Sequence, residues 1–302
     1  MTSIAIILLT VAAAAHAGWN LLGKRVHPSS AFFMMAMCAA ALLMAPLVVW
    51  YGDRLAVVPG RVWLLAAAAA ASQAFYFIAL AAAYRHGHMS IAYPLARSLP
   101  VVLVTATTLV RFPERHLSAA FAAGVAMVIV GCIVLPMRHL SDLRLRNYLN
   151  VSCLMAVVAA LGIAGFTIAD GQAMVTLGRL GDPVLSSVPG RMIYYCIEIG
   201  GGGLLVLASI LAVPQTRRQL GSEARRNWRT SLGCGLIFAL AYTAVLTAMV
   251  HVTDVSYVIA YTQLSIPLGA LLGVLVLKEP RPVLKFVGVA LMLAGVVFVS
   301  LG

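Results

Sequence analysis

Charged residues are scarce in this sequence, and acidic residues are the scarcest of them. Only 10% of the 302 residues are charged, and 9 aspartates and glutamates stand against 21 lysines and arginines. Soluble domains usually contain about 25% charged residues. With 62% hydrophobic residues and a mean hydropathy of +0.99, a soluble chain of this length could not bury its apolar surface. The composition excludes a soluble protein and predicts that the lipid bilayer surrounds the chain.

Sequence motifs of metal, nucleotide and hydrolase sites are also missing. No CxxC, HExxH, GxSxG or GxxxxGK[ST] pattern occurs, and the 5 cysteines are isolated within apolar runs. We therefore expect no cofactor, no metal and no direct use of ATP. The formal charge of +12 does not indicate nucleic-acid binding, because no polar segment could carry such a domain and because basic connectors anchor membrane proteins on the cytoplasmic side.

Apolar runs alternate with short polar connectors along the whole chain. Crossing the ~30 Å hydrocarbon core takes roughly 20 helical residues, and a helix satisfies every backbone polar group internally. The pattern predicts an all-α integral membrane protein with ten transmembrane helices, at residues 4–22, 31–50, 62–83, 89–110, 118–136, 149–168, 187–213, 231–250, 255–277 and 283–300. The longer polar links are then 137–148 and 214–230.

An internal repeat divides the chain. The first copy is marked by Ser90, Pro100, Glu114, Gly124 and Gly131, and the second by Ser256, Pro267, Glu279, Gly288 and Gly295. The similar spacings predict two five-helix domains, residues 1–136 and 146–302. Because five is an odd number, the second domain enters the membrane from the opposite side. Such inverted repeats are typical of secondary transporters, whose substrates bind near the midplane between the halves.

Lysines and arginines are unevenly distributed between the connectors. Most lie in the first, third, fifth, seventh and ninth connectors. The positive-inside rule places these connectors in the cytoplasm and both termini outside.

Two polar residues of the first helix share one face. His16 and Asn20 are four residues apart, and polar groups within a span usually face the bundle interior. They are candidates for substrate binding, and hydrogen bonding between helices is an equally good interpretation. Trp19 and Lys24, on the same face, fit the membrane interface better.

The fourth helix contains a charged residue well inside the membrane. Tyr93 and Arg97 lie on one stripe, with Pro94 predicting a kink between them. The arginine stays charged at any accessible pH, so it requires a counter-charge. A structural ion pair and a contact with the substrate are both open interpretations.

Two acids could provide that counter-charge. Glu198 lies midway along the seventh run, on one face with Tyr194 and Arg191, and Asp170 follows the sixth run. A carboxyl group among apolar helices can carry a proton for coupling, or it can pair with an arginine. For Asp170, near the predicted helix end, capping or an interfacial hydrogen bond is the simpler role.

Weaker candidates complete the predicted site. Tyr76, Tyr242 and Tyr261 lie within apolar runs and could line a cavity, although most such tyrosines pack or lie at the interface. The run 200–203 consists of four glycines, which could form a hinge or allow close helix packing.

These features together resemble the drug/metabolite transporter superfamily, specifically its ten-helix EamA-type members. The residues that carry the resemblance are Ala15-His16-Ala17-Gly18-Trp19-Asn20 with Lys24, Tyr93-Pro94-Leu95-Ala96-Arg97 with Pro100 and Glu114, Thr167–Gly171, and Pro267, Glu279, Gly288 and Gly295. The resemblance covers essentially the whole chain. The first helix lacks the acidic residue on which the four-helix multidrug relatives depend, so their coupling mechanism does not transfer.

The resemblance implies a secondary transporter in the bacterial inner membrane. It would move a small molecule, such as an amino acid or another organic compound, by proton- or gradient-coupled alternating access, most commonly as an exporter. Family members usually place both termini in the cytoplasm, in conflict with the arginine distribution. A membrane protein without transport activity, such as an intramembrane enzyme or an accessory or channel subunit, is the alternative.

Overall fold

The computed structural model describes residues 1–24, 29–86, 89–111, 118–135, 137, 139, 141, 149–276, 278 and 282–301. Within these ranges it leaves out the side chains of residues 20, 23, 24, 84, 86, 89–95 and 219. The predicted site residues Asn20 and Tyr93 are among the latter. Glu114 and Glu279, two markers of the predicted repeat, lie outside the described residues.

The described residues form helices and no strands. The α-helices are α1 (Ser3–Lys24), α2 (Ser30–Trp50), α3 (Gly60–His86), α4 (Met89–Arg111), α5 (Ala119–Val134), α6 (Val151–Gly178), α7 (Val188–Ala212), α8 (Pro214–Met249), α9 (Val255–Thr262), α10 (Ser265–Val276) and α11 (Val283–Leu301). A 3-10 helix, Gly52–Val57, precedes α3.

Most of these helices are long and apolar enough to span a membrane. Within the described ranges there are 7 such spans, with α9 and α10 counted together, and Ser3–Trp19 and Ala119–Val134 are shorter apolar helices. Large aliphatic side chains such as Leu42, Leu64 and Leu154 lie on the outside of the bundle, where lipid would cover them. An all-helical, multi-pass membrane protein is therefore confirmed, and the count of ten spans stays a prediction.

Two predicted helix ends were wrong. The α6 helix ends at Gly178 rather than near residue 168, because residues 171–178 contain no proline and the turn comes only at Gly181, which has a φ of 71°. The α8 helix begins at Pro214, so the predicted polar link 214–230 is helical. Proline suits a first helical position, and the arginines, glutamines and alanines after it are good helix formers.

The ninth predicted helix is interrupted. Gln263 and Leu264 form a turn between α9 and α10. Pro267 has no N–H to donate to the carbonyl of Gln263, and the N–H of Ile266 takes that carbonyl instead, at 2.9 Å. Local chemistry thus places Ser265 at the start of a separate helix.

Glycines bring α5 and α11 into backbone contact. A Cβ on Gly124 would lie 2.6 Å from the carbonyl oxygen of Gly295, and a Cβ on Gly295 would lie 2.7 Å from that of Gly124. Further along, a Cβ on Gly131 would lie 2.9 Å from the oxygen of Gly288. The residue numbers rise in one helix as they fall in the other, so the two helices run antiparallel.

The other helices pack in a regular pattern. The α3 helix packs against α6 and α7, α2 against α7 and α8, and α1 against α8 and α10, while α4 contacts α5 and α6. Polar side chains of α3, α6, α7 and α8 consequently meet in the interior of the bundle.

Candidate functional site

Asp170 lies inside α6 and is completely buried. Its carboxylate accepts a hydrogen bond from the hydroxyl of Tyr194 in α7, at 2.9 Å, and a second from the hydroxyl of Tyr242 in α8. Of the two simpler roles expected for Asp170, capping was wrong, because α6 continues for two more turns. Three helices are instead joined at one carboxyl group.

Glu198 is the second completely buried acid. Its Oε1 accepts a hydrogen bond from the side-chain amide of Gln73 in α3. Two oxygen atoms of this pair, Glu198 Oε2 and Gln73 Oε1, are buried without a hydrogen-bond partner. A buried polar atom without a partner costs free energy, so the pair is incomplete as it stands.

The two carboxyl groups belong to one cluster. They are close enough for their charges to interact, and Tyr194, which binds Asp170, precedes Glu198 by one turn on α7. The ring of Tyr195 packs on that of Tyr242, with centroids 4.6 Å apart. We call Asp170, Glu198, Gln73, Tyr194 and Tyr242 the acidic cluster.

Neither acid is paired with an arginine in the described part of the chain. The guanidinium group of Arg97 donates to Ser265 Oγ, at 3.1 Å, and that of Arg191 donates to the carbonyl oxygen of Ser186, also at 3.1 Å. Of the interpretations left open for Arg97, an ion pair with Asp170 or Glu198 does not form among the described residues. Every hydrogen-bond donor described for the two carboxyl groups is neutral.

The glycine run beside Glu198 packs against neighbouring helices. A Cβ on Gly202 would lie 2.8 Å from the Met37 side chain and 3.1 Å from the carbonyl oxygen of Ala70. A Cβ on Gly203 would lie 3.4 Å from Met37. Small residues thus let α2 and α3 approach α7 closely, as the packing interpretation predicts.

Arg97 occupies a second polar site, formed by α1, α4 and α10. Its side chain is partly buried, and its buried Nε atom has no hydrogen-bond partner among the described residues. His16 of α1 is close enough to feel the arginine charge. The Nδ1 atom of His16 accepts a hydrogen bond from the indole N–H of Trp19, at 3.0 Å.

Trp19 was wrongly expected at the membrane interface. Only 7% of its surface is exposed, and its ring packs edge-on against Phe238, with centroids 5.0 Å apart. The indole orients His16 rather than anchoring the helix end. Sequence reasoning missed this role, although the i, i+3 spacing of His16 and Trp19 was a signal for it.

Two other predicted tyrosines, Tyr76 and Tyr261, are buried. The hydroxyl of Tyr261 forms a hydrogen bond with Thr10 Oγ1, at 3.0 Å, which ties α9 to α1. The ring of Tyr76 packs on Phe77, with centroids 4.6 Å apart, and lies 6.1 Å from that of Phe166. Gln73 and Ser265 provide the polar side-chain contacts to Glu198 and Arg97, respectively.

Comparison with known proteins agrees with this architecture. The EamA-like transporter family matches residues 194–301. Twenty-six chains of solved structures also match. One, described only as the crystal structure of a protein, has a TM-score of 0.73 and 17% sequence identity, with 100% of this chain and 98% of that chain covered. At this identity the likeness shows the fold alone. No curated protein matches the chain. Residues 194–301 thus form a domain of the EamA-like transporter family, consistent with the drug/metabolite transporter superfamily.

Proposed function

We propose that this protein is a proton-coupled secondary transporter of a small metabolite, such as an amino acid or another organic compound. It works in the export direction, across a bacterial inner membrane. The observation that carries the proposal is the acidic cluster, in which two buried carboxyl groups interact and have only neutral donors among the described residues.

Electrostatics explains why such a cluster would bind protons. Two negative charges in a membrane interior repel each other and lose their hydration, and no described cation repays that cost. Holding a proton on Glu198 or Asp170 removes one charge. A proton on Glu198 would also make its unpartnered Oε2 a donor. The cluster is therefore suited to bind a proton while the surrounding helices exclude water, and to release the proton when water reaches the carboxyl groups.

Alternating access in this proposal depends on two inverted five-helix repeats, residues 1–136 and 146–302. The packing pattern supports it. If each helix is replaced by its counterpart in the other repeat, the α3–α6 pair becomes α8–α1, and the α2–α8 pair becomes α7–α3. All four of these pairs are in contact. The α2–α7 and α5–α11 pairs map onto themselves, and the reciprocal approach of Gly124 and Gly295 is that of a two-fold related pair.

The acidic cluster contains residues of both proposed repeats, so a movement of one repeat against the other would change its contacts. Asp170 and Glu198 belong to α6 and α7 of the second repeat, whereas Gln73 belongs to α3 of the first. Rocking of one repeat against the other would change the distance between Gln73 and Glu198. The proton affinity of the cluster would then differ between the two conformations, which is the requirement for coupling.

The test is solute-driven proton movement in proteoliposomes that contain a pH-sensitive dye, across a panel of metabolites. We expect one solute class to drive proton flux with the wild type. Asp170→Asn and Glu198→Gln should abolish that flux and gradient-driven accumulation while retaining solute exchange. The matched control is Asp254→Asn, because Asp254 is also buried but binds Thr108 and Ser256 instead. Normal proton flux in both cluster variants, or no flux in the wild type, would reject the coupling.

A further inference from the structure

Arg97 is a partly buried cation without an anion in the described part of the chain. The carboxyl groups described there have other partners: Asp170 has two tyrosines, Glu198 has Gln73, Asp254 has Thr108, Asp53 and Asp182 have Arg54, and Glu223 has Asn227. Ser265 accepts one N–H of Arg97, and no described residue accepts the Nε–H. An unneutralised charge inside a membrane protein is costly and usually marks a functional position.

His16 presents a second donor at the same place. Because its Nδ1 atom accepts the N–H of Trp19, the proton of the neutral imidazole is on Nε2. That N–H is then available as a donor, and the imidazole is near enough to Arg97 for the guanidinium charge to act on it. The hydroxyl of Ser265 already donates to the carbonyl oxygen of Thr262, at 2.8 Å, so it can only accept from Arg97. Arg97 and His16 therefore offer donors and positive charge at this site.

We propose that Arg97 and His16 bind an anionic oxygen group, a carboxylate or a phosphate, of the transported solute. This inference rests on the proposed transport function and names its substrate class. The planar guanidinium group can bind both oxygens of such an anion. Part of the Arg97 side chain is not covered by the protein, as binding of an anion requires. The acidic cluster and this site then have separate roles, proton binding and substrate binding.

The test is equilibrium binding to the full-length protein in phosphatidylcholine nanodiscs, at constant pH and without a gradient. The probes are carboxylates and phosphate monoesters, each with its neutral amide or alcohol, including lactate with lactamide and glycerol phosphate with glycerol. We expect at least one anion to bind while its neutral counterpart does not. Arg97→Gln should weaken that binding roughly tenfold or more, as loss of a charge-assisted contact implies, and Arg97→Lys should weaken it less.

A matched control separates this role from general damage. Arg191→Gln removes another buried arginine, which binds a backbone carbonyl, and should leave anion binding unchanged. His16→Gln should weaken binding severalfold and serves if Arg97→Gln does not fold. Equal binding of anion and neutral counterpart, wild-type affinity in both Arg97→Gln and His16→Gln, or no anion bound by the wild type would overturn the proposal.

Two further experiments identify the source of the anion and separate anion binding from the proposed proton coupling. If phosphatidylglycerol in the nanodisc blocks the soluble anions through Arg97, a lipid headgroup occupies the site and the proposal is rejected. Asp170→Asn and Glu198→Gln should still bind the anion in preference to its neutral counterpart, although coupling can change the affinity. Anion binding without proton flux would reject only the coupling, and proton flux without anion binding would reject only this inference.

Discussion

The hydroxyl of Tyr194 donates a hydrogen bond to Asp170 at 2.9 Å, across the contact between α7 and α6. Tyr194 lies one turn before Glu198, so the same helix face carries the donor to one acid and the carboxyl group of the other. A movement of α7 would therefore affect both acids together. This linkage suggests how a conformational change could alter the protonation of the whole cluster.

Removing the Tyr194 hydroxyl should destabilise the protein and change its pH dependence. Tyr194→Phe leaves Asp170 with one donor fewer, and the loss of a hydrogen bond to a buried carboxyl group costs roughly 1–3 kcal/mol. We also expect the pH of half-maximal transport to move. Thermal unfolding in detergent and transport rates between pH 5 and pH 9 are the measurements.

Tyr195→Phe is the matched control for that experiment. Tyr195 is as buried as Tyr194, at 3% exposure, and it packs on Tyr242 through its ring, which phenylalanine retains. Its variant should keep the wild-type pH profile. Identical profiles for Tyr194→Phe and the wild type would show that the hydrogen bond to Asp170 has no part in coupling.

Gln73 and Glu198 should show a large pairwise interaction energy. Gln73→Leu leaves the completely buried Glu198 without its donor and should cost roughly 1–3 kcal/mol of unfolding free energy. Glu198→Met in the same chain removes the carboxyl group and should recover part of that loss. A double-mutant cycle should give roughly 0.5–3 kcal/mol of interaction, and strictly additive effects would rule out a structural pair.

Much of the fold was predictable because one physical requirement dominates it. Each span must be apolar and helical, so hydropathy located α2, α3, α7 and α11 to within about three residues. The errors came where polar sequence is helical. Residues 214–230 carry charges and lie outside the apolar run, but the helix includes them. The sequence Asp170-Gly171-Gln172 resembles a helix end until the partners of Asp170 in α7 and α8 are known.

The candidate site was less predictable, because its contacts depend on helix rotation and tilt. The sequence identifies Arg97, Asp170 and Glu198 as unusual, and opposite charges suggest that they pair. Their partners are instead the neutral side chains Gln73, Tyr194 and Tyr242 for the acids and Ser265 for the arginine. Hydropathy carries no information about which polar faces meet, so only the packed bundle could separate the acidic cluster from Arg97.

The contact between α5 and α11 should tolerate no side chain at Gly124. A Cβ there would lie 2.6 Å from the backbone oxygen of Gly295 and 2.7 Å from the backbone nitrogen of Val299, neither of which can move without shifting a helix. Gly124→Ala should therefore cost roughly 1–3 kcal/mol, as overpacking does. Unfolding of the purified protein in detergent measures this change in the free energy of unfolding.

Gly233 in α8 provides the control for this overpacking. No atom lies within 4 Å of a Cβ built there, so Gly233→Ala should be neutral or stabilise the helix by about 0.5–1 kcal/mol. Equal effects of the two alanines would mean that helix propensity, and not the contact between α5 and α11, decides the result at Gly124.

Asp182 should stabilise the protein in a pH-dependent way from outside the membrane. In the connector between α6 and α7 it accepts the N–H of Leu185, at 2.9 Å, that of Val184, at 2.8 Å, and the guanidinium group of Arg54, at 3.2 Å. The Leu185 N–H and then the other two donors hold the pKa of Asp182 below its ordinary value of 3.8, against the opposing effect of partial burial.

The lowered pKa fixes the pH range of the effect. A carboxyl group whose pKa falls on folding contributes stability that is fully present above pH 3.8 and is lost as the pH falls through the folded value. Asp182→Asn should therefore melt at a lower temperature than the wild type at pH 7, and the difference should shrink below about pH 4. Asp53→Asn is the control, because Asp53 also contacts Arg54, at 3.3 Å, but its side chain is 73% exposed, and exposed ion pairs contribute little. A difference between Asp182→Asn and the wild type that stays constant from pH 7 to pH 3 would show that the carboxylate charge does not hold this connector in place.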